Sequence, residues 1–469
     1  MGDIMKHLHL NQLLPVLGGK VIHGNGSQVI KNAAKYGEHV ITDHSLVFIV
    51  KKGKTLPLPT KVSSITVVTS TPRLLKHVSS DTTIVYVPDV KKAYYQFITF
   101  YRNLFTLPVI GVTGTSGKTT TKEMISWILS EKQKVVSTYL SHNGLRRNLD
   151  YLLEIDDTKD SAVFEMGVSG PNQLLYSARY FRPQIGIITT IGTDHIEGFK
   201  NQDLYVKEKI KMVQAVGPKG TLILNHDNPY CRRLNLESFK GKVIYYGMEK
   251  TADFYAHSVT FNLKKNGMDF VIVCKEGEYS AFVPGFGKHN VYNALAAIIA
   301  CSLVGKSIPE TITRLQTFSH VKSHLQFHKG IKGSLIIDDT WNTNLTSIEA
   351  ALEVLKETAE GRKTIAIIGE IEELGDYSVS EHQKVGELVV KNKVDILIAI
   401  GKDAIPTCQK AAELGMNRAN IHHLTSHTTL MELLNRIIDK NTSILLKTSM
   451  RRSFKNTLSQ LIINGKESD

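Results

Sequence analysis

Ten residues, Gly111-Val-Thr-Gly-Thr-Ser-Gly-Lys-Thr-Thr120, constrain this chain more than any other stretch. They grow out of an apolar, β-branched run, VIGVT, and open onto a helical pattern from Thr119 to Leu129. A strand that turns through glycines into a helix points successive backbone N–H groups inward at a helix N-terminus, the geometry that cradles phosphate. The spacing is not the common one, since five residues separate Gly111 from Gly117 and Val112 stands where the first glycine usually falls. ATP or another nucleoside triphosphate is the ligand this loop predicts. Thr113, Gly114, Thr115, Ser116, Gly117, Lys118, Thr119 and Thr120 would line it. Lys118 would reach the β- and γ-phosphates, and the Thr119 hydroxyl would face Mg2+.

The rest of the chain fits a cytoplasmic enzyme of small molecules. Its 469 residues predict three domains, and 42% hydrophobic with 22% charged residues excludes disorder and collagen-like repeats. The strongest apolar stretch, NALAAIIACSLVG, is too short to cross a membrane, and MGDIMKHLHL places Lys and His where a secretory signal is apolar. Cys231, Cys274, Cys301 and Cys408 lie far apart with no C-x-x-C pair, so neither a disulfide framework nor a zinc knuckle is indicated. The 57 basic and 44 acidic residues leave a net charge of +13. These charges are dispersed and not interleaved with aromatics, which argues for a solvated surface and phosphate ligands, not nucleic acid.

The pattern along the chain is α/β throughout. Residues 1–106 alternate short β-like runs (SLVFIV, SITVVTS, TTIVYVPD) with turns and close on an amphipathic helix, Asp89 to Phe105. Residues 107–316 carry continuous apolar strands (VIGVT, AVFEMG, IGIITTIG, TLILN) separated by helices, as in a mostly parallel sheet covered on both faces. A helix over Tyr205–Val216, a β-rich insertion from VIYYG to AFVPG and the helical run VYNALAAIIACSL complete this central phosphate-loop domain. Residues 317–469 alternate SLIIDD, TIAIIGE, DILIAIG and SILLKTS with helices, which predicts a doubly wound, Rossmann-like third domain.

The form of the loop resembles that of the Mur ligase family, which joins a carboxylate to an amine using ATP. Further segments follow in the family's order: Glu165-Met-Gly167, Ile188-Thr-Thr-Ile-Gly-Thr-Asp-His-Ile-Glu197, Leu224-Asn-His-Asp227 and Gly287-Lys-His-Asn-Val-Tyr-Asn-Ala294. Within the family, the C-terminal half resembles the branch that appends D-alanyl-D-alanine to a UDP-muramyl tripeptide. There Asp338-Asp-Thr-Trp-Asn-Thr-Asn344 is similar to D-D-S-Y-N-A-N, and Gly369-Glu-Ile-Glu-Glu-Leu-Gly375, followed by His382, is similar to G-D-M-x-E-L-G…H.

The resemblance implies an ATP-dependent amide ligase working through an acyl phosphate in peptidoglycan precursor synthesis, as a monomer. It assigns Lys118, His195 and Lys209 to catalysis, and Glu165, His195 and Lys209 (the last as a carbamate) to Mg2+ beside Thr119. Glu165 and His195 each follow an apolar strand, so both sit at the carboxyl edge of a parallel sheet. Asn290, Asn293 and Asp339 are implied nucleotide contacts, and Asn143, Asn342 and Asn344 substrate contacts. Lys207 and Lys211 beside Lys209 read as a solvated basic face.

Several positions depart from the family. Ser323-His324 stands where a Gly-Arg pair is usual, Lys447-Thr-Ser-Met450 replaces K-G-S-R with Arg451 one place late, and Asn172-Gln173 replaces G-E. His142-Asn-Gly-Leu-Arg-Arg-Asn148 differs from the muramyl-contacting N-N-x-x-G-x-P, and NAAKYGEHV lacks the Ser-Arg of the uridine-diphosphate site. These changes motivate two alternatives: a ligase of the same type acting on another acid and amine, and a catalytically weak nucleotide-binding paralogue.

Overall fold

The computed structural model describes residues 5–50, 55–193, 196–319, 324–449 and 455–462. They build an α/β protein around three sheets. The first sheet has five strands in the order Lys20–His23, Thr83–Tyr86, Thr66–Thr69, Ser45–Phe48, Asn32–Lys35, and only the first pair runs antiparallel. Helix Val90–Asn103 follows, capped by the Asp89 carboxylate, which accepts the Lys92 N–H at 3.0 Å. Its buried stripe of Val90, Ala93, Tyr94, Phe97, Ile98 and Tyr101 has helical spacing. Through that stripe it touches the next unit: the Tyr94 and Tyr180 hydroxyls lie 2.9 Å apart, and the Tyr101 hydroxyl donates to the Ile155 carbonyl at 2.8 Å.

The second sheet has nine strands, in the order Val135–Ser137, Ser161–Glu165, Val109–Thr113, Ile185–Ile188, Thr221–Asn225, Lys242–Gly247, Phe254–Asn262, Gly267–Cys274, Gly277–Pro284. The first seven are mutually parallel, and the insertion ends as an antiparallel meander. Every residue of Val109–Thr113 and Ser161–Glu165 is buried, because helices cover both faces. Met124 and Ile125 of helix Lys118–Leu129 pack with Lys288–Leu303 on one face. Leu149, Leu174 and Phe181 pack on the other. Strand Val109–Thr113 has Ser161–Glu165 on one side and Ile185–Ile188 on the other, so the winding reverses there and a crevice opens at its carboxyl end.

The third sheet has six strands, Gln326–Lys329, Leu335–Asp339, Thr442–Lys447, Lys363–Gly369, Ile396–Ile400 and Ile421–Leu424. All pair in parallel except the first, an antiparallel edge strand. Apolar clusters lie on both of its faces. The helical stretch expected over Tyr205–Val216 is two helices, Gln202–Ile210 and Met212–Ala215, because the chain tightens at Lys211, whose N–H bonds the Glu208 carbonyl at 3.2 Å. Among the described residues no helix is long and apolar enough to cross a membrane.

Candidate active site

The phosphate loop is held open by its neighbours. Gly117 sits in the left-handed region at φ 82°, and a Cβ there would collide with the Asn293 amide. Thr115 donates its N–H to the Thr190 carbonyl at 2.6 Å, shares a 2.8 Å bond between its hydroxyl and that of Tyr205, and accepts the Gly192 N–H at 2.9 Å. The Thr189 hydroxyl donates to the Ser116 carbonyl at 2.6 Å. The segment after strand Ile185–Ile188 thus fixes the loop from outside. Lys118 folds back along it, its ammonium donating to the Thr115 carbonyl at 2.8 Å.

Glu165 ends its strand, buried, beside this loop. One carboxylate oxygen accepts the Thr119 hydroxyl at 2.8 Å and the other accepts the Asn143 amide at 2.6 Å. Its own N–H donates to the Thr138 hydroxyl at 2.9 Å, while the fully buried Lys122 donates to the Thr138 carbonyl at 2.5 Å and pairs with Glu123. A buried ammonium is tolerated only with such partners.

The third sheet supplies the opposite wall. Asp339 and Lys447 end adjacent parallel strands in register, and their charged groups pair at 2.9 Å with both side chains buried. Lys447 also donates to the Asn342 carbonyl. Asn344 caps helix Leu345–Thr358 by accepting the Ser347 N–H at 2.9 Å, and the same oxygen accepts the Ser116 hydroxyl at 3.2 Å. This bond joins the phosphate loop to the third sheet. The Glu197 N–H, donating to the Glu373 carbonyl at 3.0 Å, and the Lys288–Glu353 pair at 2.7 Å make further links.

Between these walls lies a cavity of about 650 Å3. It brings together Thr115 to Thr120, Asn143, Glu165, Asn290, Asn293, Asp339, Asn342 and Asn344. Thr113 lies beneath it, its hydroxyl committed to the Met166 carbonyl at 2.9 Å, and Gly114 packs on Thr189. Asn290 and Asn293 also serve the fold: the Asn290 amide donates to the Phe286 carbonyl at 2.9 Å, and the Asn293 oxygen accepts the Thr121 hydroxyl at 3.2 Å. Asp227 shapes the same end of the cavity, accepting the Met248 N–H at 2.6 Å and the Tyr292 hydroxyl at 2.7 Å. Burial, and next the Asp227 carboxylate, push the Tyr292 phenol well above its ordinary range.

Lys209 is buried with its ammonium 5.1 Å from the Tyr205 ring centroid, whereas Lys207 is exposed and Lys211 pairs with Glu208 at 2.6 Å. Lys209 is therefore turned inward, apart from the more exposed Lys207 and Lys211. His195 lies outside the described residues, as does Ser323 of the Ser323-His324 stretch; His324 stacks obliquely on Trp341 at 5.5 Å. Lys122, Thr138, Tyr205 and the Ser116–Asn344 bond were not read from the sequence. Only Lys122 left a signal there: it falls four residues after Lys118, on the same helix face.

A loop of this kind at the switch point of one sheet, facing a carboxylate–ammonium pair at the carboxyl end of another, is the arrangement of a nucleotide-dependent enzyme, with a cavity between the two units. Residues 112–301 match the Mur ligase middle domain, and residues 325–450 match the Mur ligase, glutamate ligase domain. The chain is 31% identical over 377 residues to the UDP-N-acetylmuramoyl-tripeptide–D-alanyl-D-alanine ligase of Synechocystis sp., a match covering 80% of this chain and 79% of that relative. The crystal structure of MurF from Acinetobacter baumannii superposes with a TM-score of 0.82 at 22% identity, over 97% of this chain and 99% of that one. MurF from Thermotoga maritima, in complex with ADP, superposes at 0.71 and 20% identity, over 85% and 88% of the two chains. The chain belongs to the Mur ligase family of ATP-dependent ligases.

Proposed function

We propose that this protein joins D-alanyl-D-alanine to the terminal carboxylate of a UDP-N-acetylmuramoyl tripeptide at the expense of ATP. The observation carrying this reading is that one cavity is walled by the phosphate loop with Glu165 and, opposite, by the Asp339–Lys447 pair. The named relative supplies the identity of the two substrates.

Loop N–H groups and Lys118 hold the β- and γ-phosphates, the ammonium exchanging the Thr115 carbonyl for phosphate oxygen. An oxygen of the acid's carboxylate attacks the γ-phosphorus, ADP leaves, and an acyl phosphate results. The amine then attacks the carbonyl carbon, phosphate departs with that carboxylate oxygen, and the proton lost from the nitrogen leaves with it as hydrogen phosphate. Asp339, Asn342 and Asn344 face the loop across the cavity, where the incoming amine must approach. Glu165 and the Thr119 hydroxyl form an all-oxygen set suited to a hard cation. Mg2+ held there would neutralise phosphate charge during transfer, and the family resemblance adds His195 and a carbamylated Lys209 to its ligands.

One observation favours a second reading, a ligase of the same type with another acid. Lys35 lies in the stretch where the family's uridine-diphosphate signature falls. Its ammonium is spent on Glu38 at 3.3 Å, the Tyr176 hydroxyl at 3.5 Å and the Tyr94 ring at 4.9 Å.

Phosphate release from ATP separates the readings. Turnover is expected only with UDP-muramyl tripeptide plus D-alanyl-D-alanine, falling at least ~100-fold in Lys118→Ala with an unchanged melting profile. Turnover with a different acid–amine pair selects the second reading. Near-normal turnover of Lys118→Ala contradicts the site.

A further inference from the structure

Asn344 holds two bonds through one atom. Its Oδ1 accepts both the Ser347 N–H that it caps and the hydroxyl of Ser116 on the phosphate loop. The backbone donor fixes the orientation of the amide, because turning it over would set Nδ2 against the Ser347 N–H. Nδ2 is therefore the outstanding donor. Among the described residues it has no hydrogen-bond partner, and Asn344 is only 1% exposed. A buried donor left unmade is costly and calls for an acceptor. Asn344 lines the same cavity as the loop, and its neighbours at this sheet edge, Asp339 and Lys447, are spent on each other.

We propose that Asn344 is a ligand of the terminal phosphoryl group. Its Nδ2–H donates to an oxygen of the γ-phosphate and then to the same group in the acyl phosphate, so the third unit holds the phosphoryl group on both sides of the transfer. This rests on the proposed function, since it takes the loop to bind ATP. The Ser116–Asn344 bond places the donor: the carboxamide is docked against the residue next to Gly117 and Lys118, where the end of a bound triphosphate must lie. Once the phosphoryl group has left, Nδ2 loses its acceptor, and the contact no longer favours the packed arrangement of the two units.

The test is calorimetric binding of ADP and of a non-hydrolysable β,γ-imido triphosphate, both with Mg2+, to the full chain. Asn344→Asp keeps the oxygen that caps the helix and accepts from Ser116, but turns a charged oxygen toward the phosphate. It is expected to bind the triphosphate at least ~30-fold more weakly and ADP within about threefold of wild type, with a near-unchanged melting temperature. Asn344→Ala removes donor and cap together, and is expected to lose about tenfold in triphosphate affinity and to melt earlier. If Asn344→Asp keeps the wild-type preference for triphosphate over diphosphate, or loses both ligands equally, Asn344 is only a helix cap and the proposal fails. If wild-type protein binds neither nucleotide, the proposed function fails first.

Discussion

His382 is held neutral by two backbone partners. Its Nε2 accepts the Ile371 N–H at 3.0 Å, and its Nδ1 lies 2.7 Å from the Ser378 carbonyl, which requires the proton on Nδ1. Burial lowers its pKa below the ordinary 6.5, and protonating Nε2 would set a donor against the Ile371 N–H. A folded-state pKa below the unfolded one makes the unfolded chain the better proton acceptor. Stability is therefore full above about pH 6.5 and falls as pH drops from there toward the depressed folded value, by at most about 1.4 kcal/mol per pH unit. His382→Gln is expected to remove that part of the slope between pH 7.5 and 5.5 in urea titrations; superposable slopes for the two proteins would refute it. His382 matters to the site because Ile371 precedes Glu372 and Glu373, which border the cavity. The place of Glu165 was legible in the sequence, since a carboxylate closing a continuous apolar run stands at a sheet's carboxyl edge, and its role was legible only through the family resemblance. The burial of Lys122 was not. It sits in the polar run Thr-Thr-Thr-Lys-Glu, and its enclosure depends on Thr138, which follows strand Val135–Ser137.

At the scale of elements, helix Val90–Asn103 does more than close the first sheet. The Tyr101 hydroxyl accepts the Lys6 N–H at 2.9 Å and donates to the Ile155 carbonyl at 2.8 Å, binding the N-terminal segment, the helix and the second unit at one atom. Tyr101→Phe leaves a buried carbonyl without its donor and is expected to cost on the order of 1–3 kcal/mol, read as a lower denaturation midpoint. An unchanged midpoint would mean that the hydroxyl is replaceable at that junction. The helix itself was readable because its apolar stripe and Asp cap agree. So were the central strands, whose β-branched runs are continuous. Strand Gln326–Lys329 was not legible: it is a half-exposed edge, and its polar sequence QFHK lacks the apolar run that marks a buried strand. Helix Gln173–Phe181 escaped for another reason, since it begins after a left-handed Asn172 with no side-chain cap to announce it.

For the whole molecule, the three sheets matter less than the seam between the second and third. Ser116–Asn344, Glu197–Glu373 and Lys288–Glu353 span it, and the cavity lies where an acyl phosphate would be shielded from water. No local pattern could reveal this seam, because each bond joins residues more than sixty positions apart. The proposed chemistry passes a terminal phosphoryl group to an acid inside that cavity. Oxygen transfer tests this most directly: UDP-muramyl tripeptide labelled with 18O in its terminal carboxylate is turned over with ATP and D-alanyl-D-alanine, and the released phosphate is weighed. One labelled oxygen in each phosphate released is the predicted result, and amide product accompanied by unlabelled phosphate would contradict it.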